Sequence, residues 1–138
     1  MYRFVIGVDT RSRIGAEIER SLRKTYDIAE FEVFGFPGTL SCNSTRTIAA
    51  QAYLMLKRLG RLPAKYFIAV GTGTIIEDTQ AGPVPGYMMV ITAADKNGET
   101  SCGYMGLVRS LDPEAVAIVS EVAVELAGTE PEPLPSFA

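Results

Sequence analysis

The opening of the chain constrains its fold more than any other stretch. Phe4-Val5-Ile6-Gly7-Val8 is an apolar run, and Asp9-Thr10-Arg11-Ser12 is polar. An amphipathic pattern follows at once, with Ile14, Ile18 and Leu22 on one side and Glu17, Glu19, Arg20 and Arg23 around it. The change of period predicts a strand over 3–8, a short loop and a helix over 14–25. Strand, loop and helix in that order form the repeating unit of α/β proteins. The same unit makes an anion site, because the free N–H groups and the dipole of the helix's first turn face the loop. The hydroxyls of Thr10 and Ser12 suit phosphate, as do the guanidinium groups of Arg11 and Arg13, which can donate paired hydrogen bonds. Thr10 or Ser12 is equally suited to an ordinary helix cap, with the arginines in solvent.

The rest of the chain alternates in the same way. Residues 29–36 set Glu30 and Glu32 against Phe31 and Val33, the pattern of a half-buried strand, and Pro37-Gly38 ends it. From Thr45 to Leu59, Ile48, Ala52, Met55, Leu56 and Leu59 form a helical stripe that Gly60 stops. Tyr66 to Gly71 is continuously apolar, as in a central strand covered on both faces. Thr72 to Gly86 is small, polar and proline-rich and reads as an ordered loop containing Glu77-Asp78. Residues 87–94 and 99–105 flank Asp95-Lys96-Asn97-Gly98, whose Asn-Gly pair signals a hairpin. Asp112 as cap and Pro113 at the first helical position open a last helix. Its excess of apolar surface predicts cover on more than one side and a homodimer. The expected architecture is α/β: a mixed twisted sheet flanked by helices, extended by a β-hairpin. One domain spans 1–128, and 129–138 is a Pro/Glu-rich tail.

Composition removes several classes of chemistry. The chain has 138 residues and no histidine, which excludes Ser-His-Asp and Cys-His catalysis within it and any histidine-bound metal. Cys42 and Cys102 form no C-x-x-C pair. A metal would be a hard, oxygen-bound ion such as Mg2+. Residues 1–65 hold 11 Lys+Arg and 6 Asp+Glu, and residues 66–138 hold 2 and 10, giving +5 and −8 and the total of −3. The basic half suits an anionic ligand, but no aromatic-basic motif for nucleic acid is present. No apolar run is long enough for a membrane span and no secretory leader pattern opens the chain, so a cytoplasmic location is expected.

Two resemblances sharpen the functional expectation. Over roughly residues 3–125 the order of elements resembles the inosine/xanthosine triphosphatases, which hydrolyse non-standard purine nucleoside triphosphates. Gly7-Val8-Asp9-Thr10-Arg11-Ser12-Arg13 corresponds to that family's Gly-x-x-Asn-Pro-x-Lys loop, with Arg13 at the lysine. Asn43-Ser44-Thr45-Arg46-Thr47-Ile48-Ala49 corresponds to its Glu-Glu-Thr-x-x-Gly-Ala helix start, with the threonine and alanine matched and both acids gone. Ala69-Val70-Gly71-Thr72-Gly73 ends the central strand, with glycine where the family has a metal-binding acid. The resemblance implies a nucleotide cleft in which Thr10, Arg11, Ser12 and Arg13 hold phosphate and the backbone of Gly71, Thr72 and Gly73 approaches the ligand. Hydrolysis there would need Mg2+, with Asp9 and Glu77 as metal ligands and Asp9, Glu77 and Asp78 as the catalytic carboxylates. The segment 44–94 is also similar to the nicotinamide-nucleotide amidase domain, through Ala69-Val70-Gly71-Thr72-Gly73 and Pro83-Val84-Pro85-Gly86-Tyr87. That domain's Ser-Cys-Thr-Gly-Gly nucleophile segment has no match here. A third reading is a non-catalytic binding or assembly protein that keeps the enzyme fold.

Overall fold

The computed structural model describes residues 2–10, 13–25, 31–36, 44–98, 102–108 and 111–128. The elements run β1 (Tyr2–Asp9), α1 (Arg13–Thr25), β2 (Phe31–Phe36), α2 (Thr45–Leu59), β3 (Ala64–Thr79), β4 (Gly82–Asp95), β5 (Cys102–Val108) and α3 (Leu111–Ala127). The strands make one sheet in the order β2-β1-β3-β4-β5. β1 is parallel to both neighbours, whereas β3, β4 and β5 run antiparallel in turn. The protein is thus α/β with a mixed sheet and three helices.

Strand alternation divides the core between two faces. On one, Phe4, Ile6, Val8, Ile68 and Val70 pack with Ile18 and Leu22 of α1 and with Ala115, Val119, Val122 and Ala123 of α3. On the other, Val5, Phe67 and Ala69 pack with Met55 and Leu59 of α2. The inner parts of β1 and β3 are sealed from both sides, which is why neither alternates in sequence. At the edge, Arg23 of α1 pairs with Glu19 at 3.1 Å, lies 3.9 Å from Glu32 and donates to the Val33 carbonyl of β2. One member of the basic half is therefore structural.

Two expectations are corrected. Thr72–Gly86 is not a loop. It continues β3 to Thr79, turns at Gln80-Ala81 and returns as β4, with Thr79 opposite Gly82 and Asp78 opposite Pro83. Gly82 has φ +107°, a backbone state that side chains rarely tolerate, so glycine fits this turn. α3 begins at Leu111, which places Asp112 and Pro113 inside its first turn, where a proline's missing N–H costs nothing. The cover expected of α3 on more than one side is present within the chain, from α1 and the sheet. Apart from the exposed Ala117 and Val124, its described apolar residues are buried or half-buried there. The tail, 129–138, lies outside the described residues.

Candidate functional site

The strand order fixes where a ligand can enter. From β1 the chain moves outward through α1 to β2, then crosses back through α2 to β3 on the other side of β1. α1 and α2 therefore lie on opposite faces. Their N-termini lie toward the C-terminal ends of the parallel-paired stretches of β1 and β3, near Asp9 and Val70, beyond which β3 runs on with β4 to Thr79. Open α/β sheets bind ligands at such a reversal of strand order.

Two glycines bring the helices down onto those ends. A Cβ on Gly15 of α1 would overlap the carbonyl of Asp9 and lie 3.3 Å from Thr72 Oγ1. A Cβ on Gly71 would lie 2.7 Å from the Ile48 carbonyl and 3.2 Å from Ala52 Cβ, both on α2. The space beside Gly71 is thus filled by a helix. Its absent side chain serves helix packing on that face, a role the sequence did not suggest.

Asp9 and Thr72 are the polar residues at this level, each 1% exposed. Asp9 closes β1 one step beyond the Val8–Val70 pair, and Thr72 lies two residues beyond Val70 on the face of α1. Thr10 follows Asp9 and is half-buried. On the α2 side, Ser44 caps the helix: its Oγ accepts from the Thr47 N–H at 3.2 Å and lies 2.8 Å from Thr47 Oγ1. The N–H groups of Thr45 and Arg46 have no partner within the helix, because the first turn precedes the first i→i−4 bond. Beside that turn lies an open cleft of about 650 Å³, lined by Ser44, Thr45, Thr74, Ile75 and Ile76. Three hydroxyl side chains and two isoleucines make it amphipathic.

Gln51 belongs to this region and was missed from the sequence. It is 4% exposed, and its Oε1 has no hydrogen-bond partner among the described residues. Ile48 and Ala52, on either side of it in α2, lie against Gly71, so Gln51 sits near the level where β1 stops. The signal was a polar residue on the apolar stripe, three after Ile48 and four before Met55.

The other predicted residues divide sharply. Gly73 continues β3 past Thr72 and is buried. Glu77 and Asp78 stand far out on the hairpin arm. At about 3.3 Å per residue, Glu77 is roughly 20 Å along the strand from the level of Asp9. Asp78 is exposed there. One Mg2+ cannot be held by Asp9 and Glu77 of the same chain, because oxygen ligands must approach to about 2 Å. Among the described residues no group of three His, Cys, Asp or Glu side chains is placed to hold a metal. The expected magnesium pair therefore does not fit. Arg11, Ser12, Cys42 and Arg109 lie outside the described residues, as does the side chain of Arg13, whose backbone opens α1.

A second pocket, of about 280 Å³, opens at the opposite end of α2 between Tyr53, Leu56, Lys57, Phe67, Ala94 and Lys96. Lys57 Nζ lies 5.0 Å from the centre of the Tyr53 ring. The C-terminal carbonyls of α2 turn this way, and their partial negative charge opposes an anion.

No family model and no curated protein matches the chain. Among solved structures, the crystal structure of protein VC0702 from Vibrio cholerae is similar at 12% identity and a TM-score of 0.42. The match covers 88% of this chain and 69% of that one. A likeness so slight carries no functional argument. Among the described residues, no helix is long and apolar enough to cross a membrane.

Proposed function

We propose that the crevice beyond the end of β1, alongside β3, binds the phosphate groups of a nucleotide, and that the chain acts as a binding protein there rather than as a magnesium-dependent hydrolase. The observation that carries this reading is the first turn of α2 beside an open cleft whose lining includes Ser44, Thr45 and Thr74, next to a reversal of strand order. First-turn N–H groups without an intrahelical acceptor, such as those of Thr45 and Arg46, and hydroxyls bind phosphate without needing a charge. Arg11 and Arg13 belong to the segment between β1 and α1 and would add one. Ile75 and Ile76 offer an apolar wall to a base or ribose. This extends the resemblance to the inosine/xanthosine triphosphatases as far as binding. The acid that helps bind the metal in that family is replaced by Gly71, both acids of its helix start are replaced at Asn43 and Ser44, and Glu77 does not stand in for the lost metal ligand in the same chain.

Calorimetric and thermal-shift titrations with inosine and xanthosine triphosphates test the reading, each with and without Mg2+. The expected result is saturable binding that persists in EDTA, with a gain of about 2.7 kcal/mol at a ligand concentration 100 times its dissociation constant. Release of phosphate or pyrophosphate is expected to stay at the background rate. No binding of either nucleotide would defeat the proposal. Magnesium-dependent turnover would replace it with the hydrolase reading.

A further inference from the structure

The far half of β3 has an open edge. β1 pairs with β3 only as far as Val70, and among the described residues no strand pairs with β3 beyond it on that side. From Thr72 to Thr79 the strand is joined to β4 alone. This stretch, Thr-Gly-Thr-Ile-Ile-Glu-Asp-Thr, is rich in β-branched residues and contains no proline. Ile76 in its middle is 71% exposed.

The opposite edge of the same arm is protected. On β4, Pro83 and Pro85 pair with Asp78 and Ile76. A proline has no N–H for a ladder, so within a paired strand it occupies positions whose nitrogen points away from the partner. Pro83 and Pro85 therefore blunt the outer edge of β4. Residues opposite one another in an antiparallel ladder direct their N–H and C=O groups alike, either toward each other or both outward. Ile76 and Asp78, opposite the prolines, thus turn theirs outward, as does Thr74 two residues earlier. One edge of the arm is closed to pairing and the other presents three consecutive hydrogen-bonding positions.

We infer that the Thr74–Asp78 edge pairs antiparallel with the same edge of a second copy of the chain, forming a homodimer with a continuous sheet. The occupant follows from self-compatibility. A two-fold axis perpendicular to the sheet requires residues of one facing to meet residues of the same facing, and Thr74, Ile76 and Asp78 meet that condition. Centring the axis on Ile76 places Ile76 beside the partner's Ile76 and Thr74 opposite the partner's Asp78, with Ile75 opposite the partner's Glu77. Neither acid faces another acid, whereas like charges directly opposite would be destabilising. Each of the three pairs exchanges both hydrogen bonds. The pairing also moves the acids relative to the crevice. The partner's Asp78 comes level with Thr74, about 10 Å along the strand from Gly71, where the chain's own Asp78 is about 23 Å away. The arm of one copy thereby walls the crevice of the other.

Sedimentation equilibrium of the full chain between about 1 and 100 µM tests the inference, a range in which specific protein dimers commonly form. A dimer is expected. Ile76→Pro removes an outward N–H without touching the β3–β4 ladder, and is expected to raise the dimer dissociation constant at least about tenfold. Ile76→Lys sets like charges on the axis and is expected to do the same. It supplies the answer should Ile76→Pro fail to fold by circular dichroism. In a chain carrying Cys42→Ser and Cys102→Ser, Ile76→Cys is expected to form a disulfide-linked dimer on oxidation, since Cα atoms in such a pair lie about 5.5 Å apart. A monomer throughout the range overturns the inference. So does a dimer whose dissociation constant is unchanged in a folded Ile76→Pro or Ile76→Lys protein, or an Ile76→Cys chain that does not cross-link.

Discussion

The two halves of β3 differ in composition and have opposite surroundings. From Ala64 to Thr72 the strand lies between β1 and β4, with α2 on one face and α1 and α3 on the other, and Ile68, Ala69 and Val70 are fully buried. From Thr74 onward the same strand projects as an arm, with Ile76 71% exposed and Val84 across the hairpin 45% exposed. Ile68 lies in an apolar run and Ile76 beside Glu77 and Asp78, so the local sequence marks part of the difference. Burial here is decided by where β1 stops and where the helices lie, and the candidate site falls at the border between the two halves.

That contrast can be broken by one substitution made twice, together with two changes at the border. The largest effect is expected from Ile68→Ala, which leaves a cavity in a sealed core and should cost about 3–4 kcal/mol in urea denaturation. Gly71→Ala comes next. Its Cβ would meet the Ile48 carbonyl at 2.7 Å, so α2 must shift, at a cost of about 2 kcal/mol by the same measurement. Ser44→Ala removes the cap of α2 and should cost about 1 kcal/mol. Because the Thr47 N–H loses its acceptor, amide exchange in the first turn of α2 should quicken. Ile76→Ala is expected to change the stability of the monomer at high dilution by less than about 0.5 kcal/mol. A large loss there would mean that the arm is packed within the chain and would remove the contrast.

Much of the fold was legible because hydrophobic period follows burial. The strand-loop-helix opening, the stripe of α2, the Asn97-Gly98 turn and the continuous run of β3 all announce their neighbours. The arm was not legible. Thr72–Gly86 contains Gly73, Gly82, Pro83, Pro85 and Gly86, which locally signal a loop. Prolines with nitrogens facing out at an unpaired edge are compatible with a strand, but that facing depends on register and not on composition. The same error put Glu77 and Asp78 beside Asp9, since in a loop they could fold back and in a strand they extend away. At the site, Asp9 and Thr10 were readable as the end of a strand before a helix. Gly15 and Gly71 were not readable as packing contacts, because the atoms they admit belong to Asp9 and Ile48, and only the fold brings these together. The dimer expectation rested on the apolar character of α3, which α1 and the sheet satisfy within the chain. The exposed apolar surface of the arm is the stronger reason to look for a second copy.

Amide NMR of the full chain titrated with inosine triphosphate in EDTA reads out the proposed phosphate site beyond the end of β1. Saturable shifts are expected at Thr10, Gly15, Thr45, Arg46 and Thr72 to Thr74, with the second pocket near Lys57 and Lys96 unaffected. Shifts confined to that second pocket, or none at all, would overturn the proposed site.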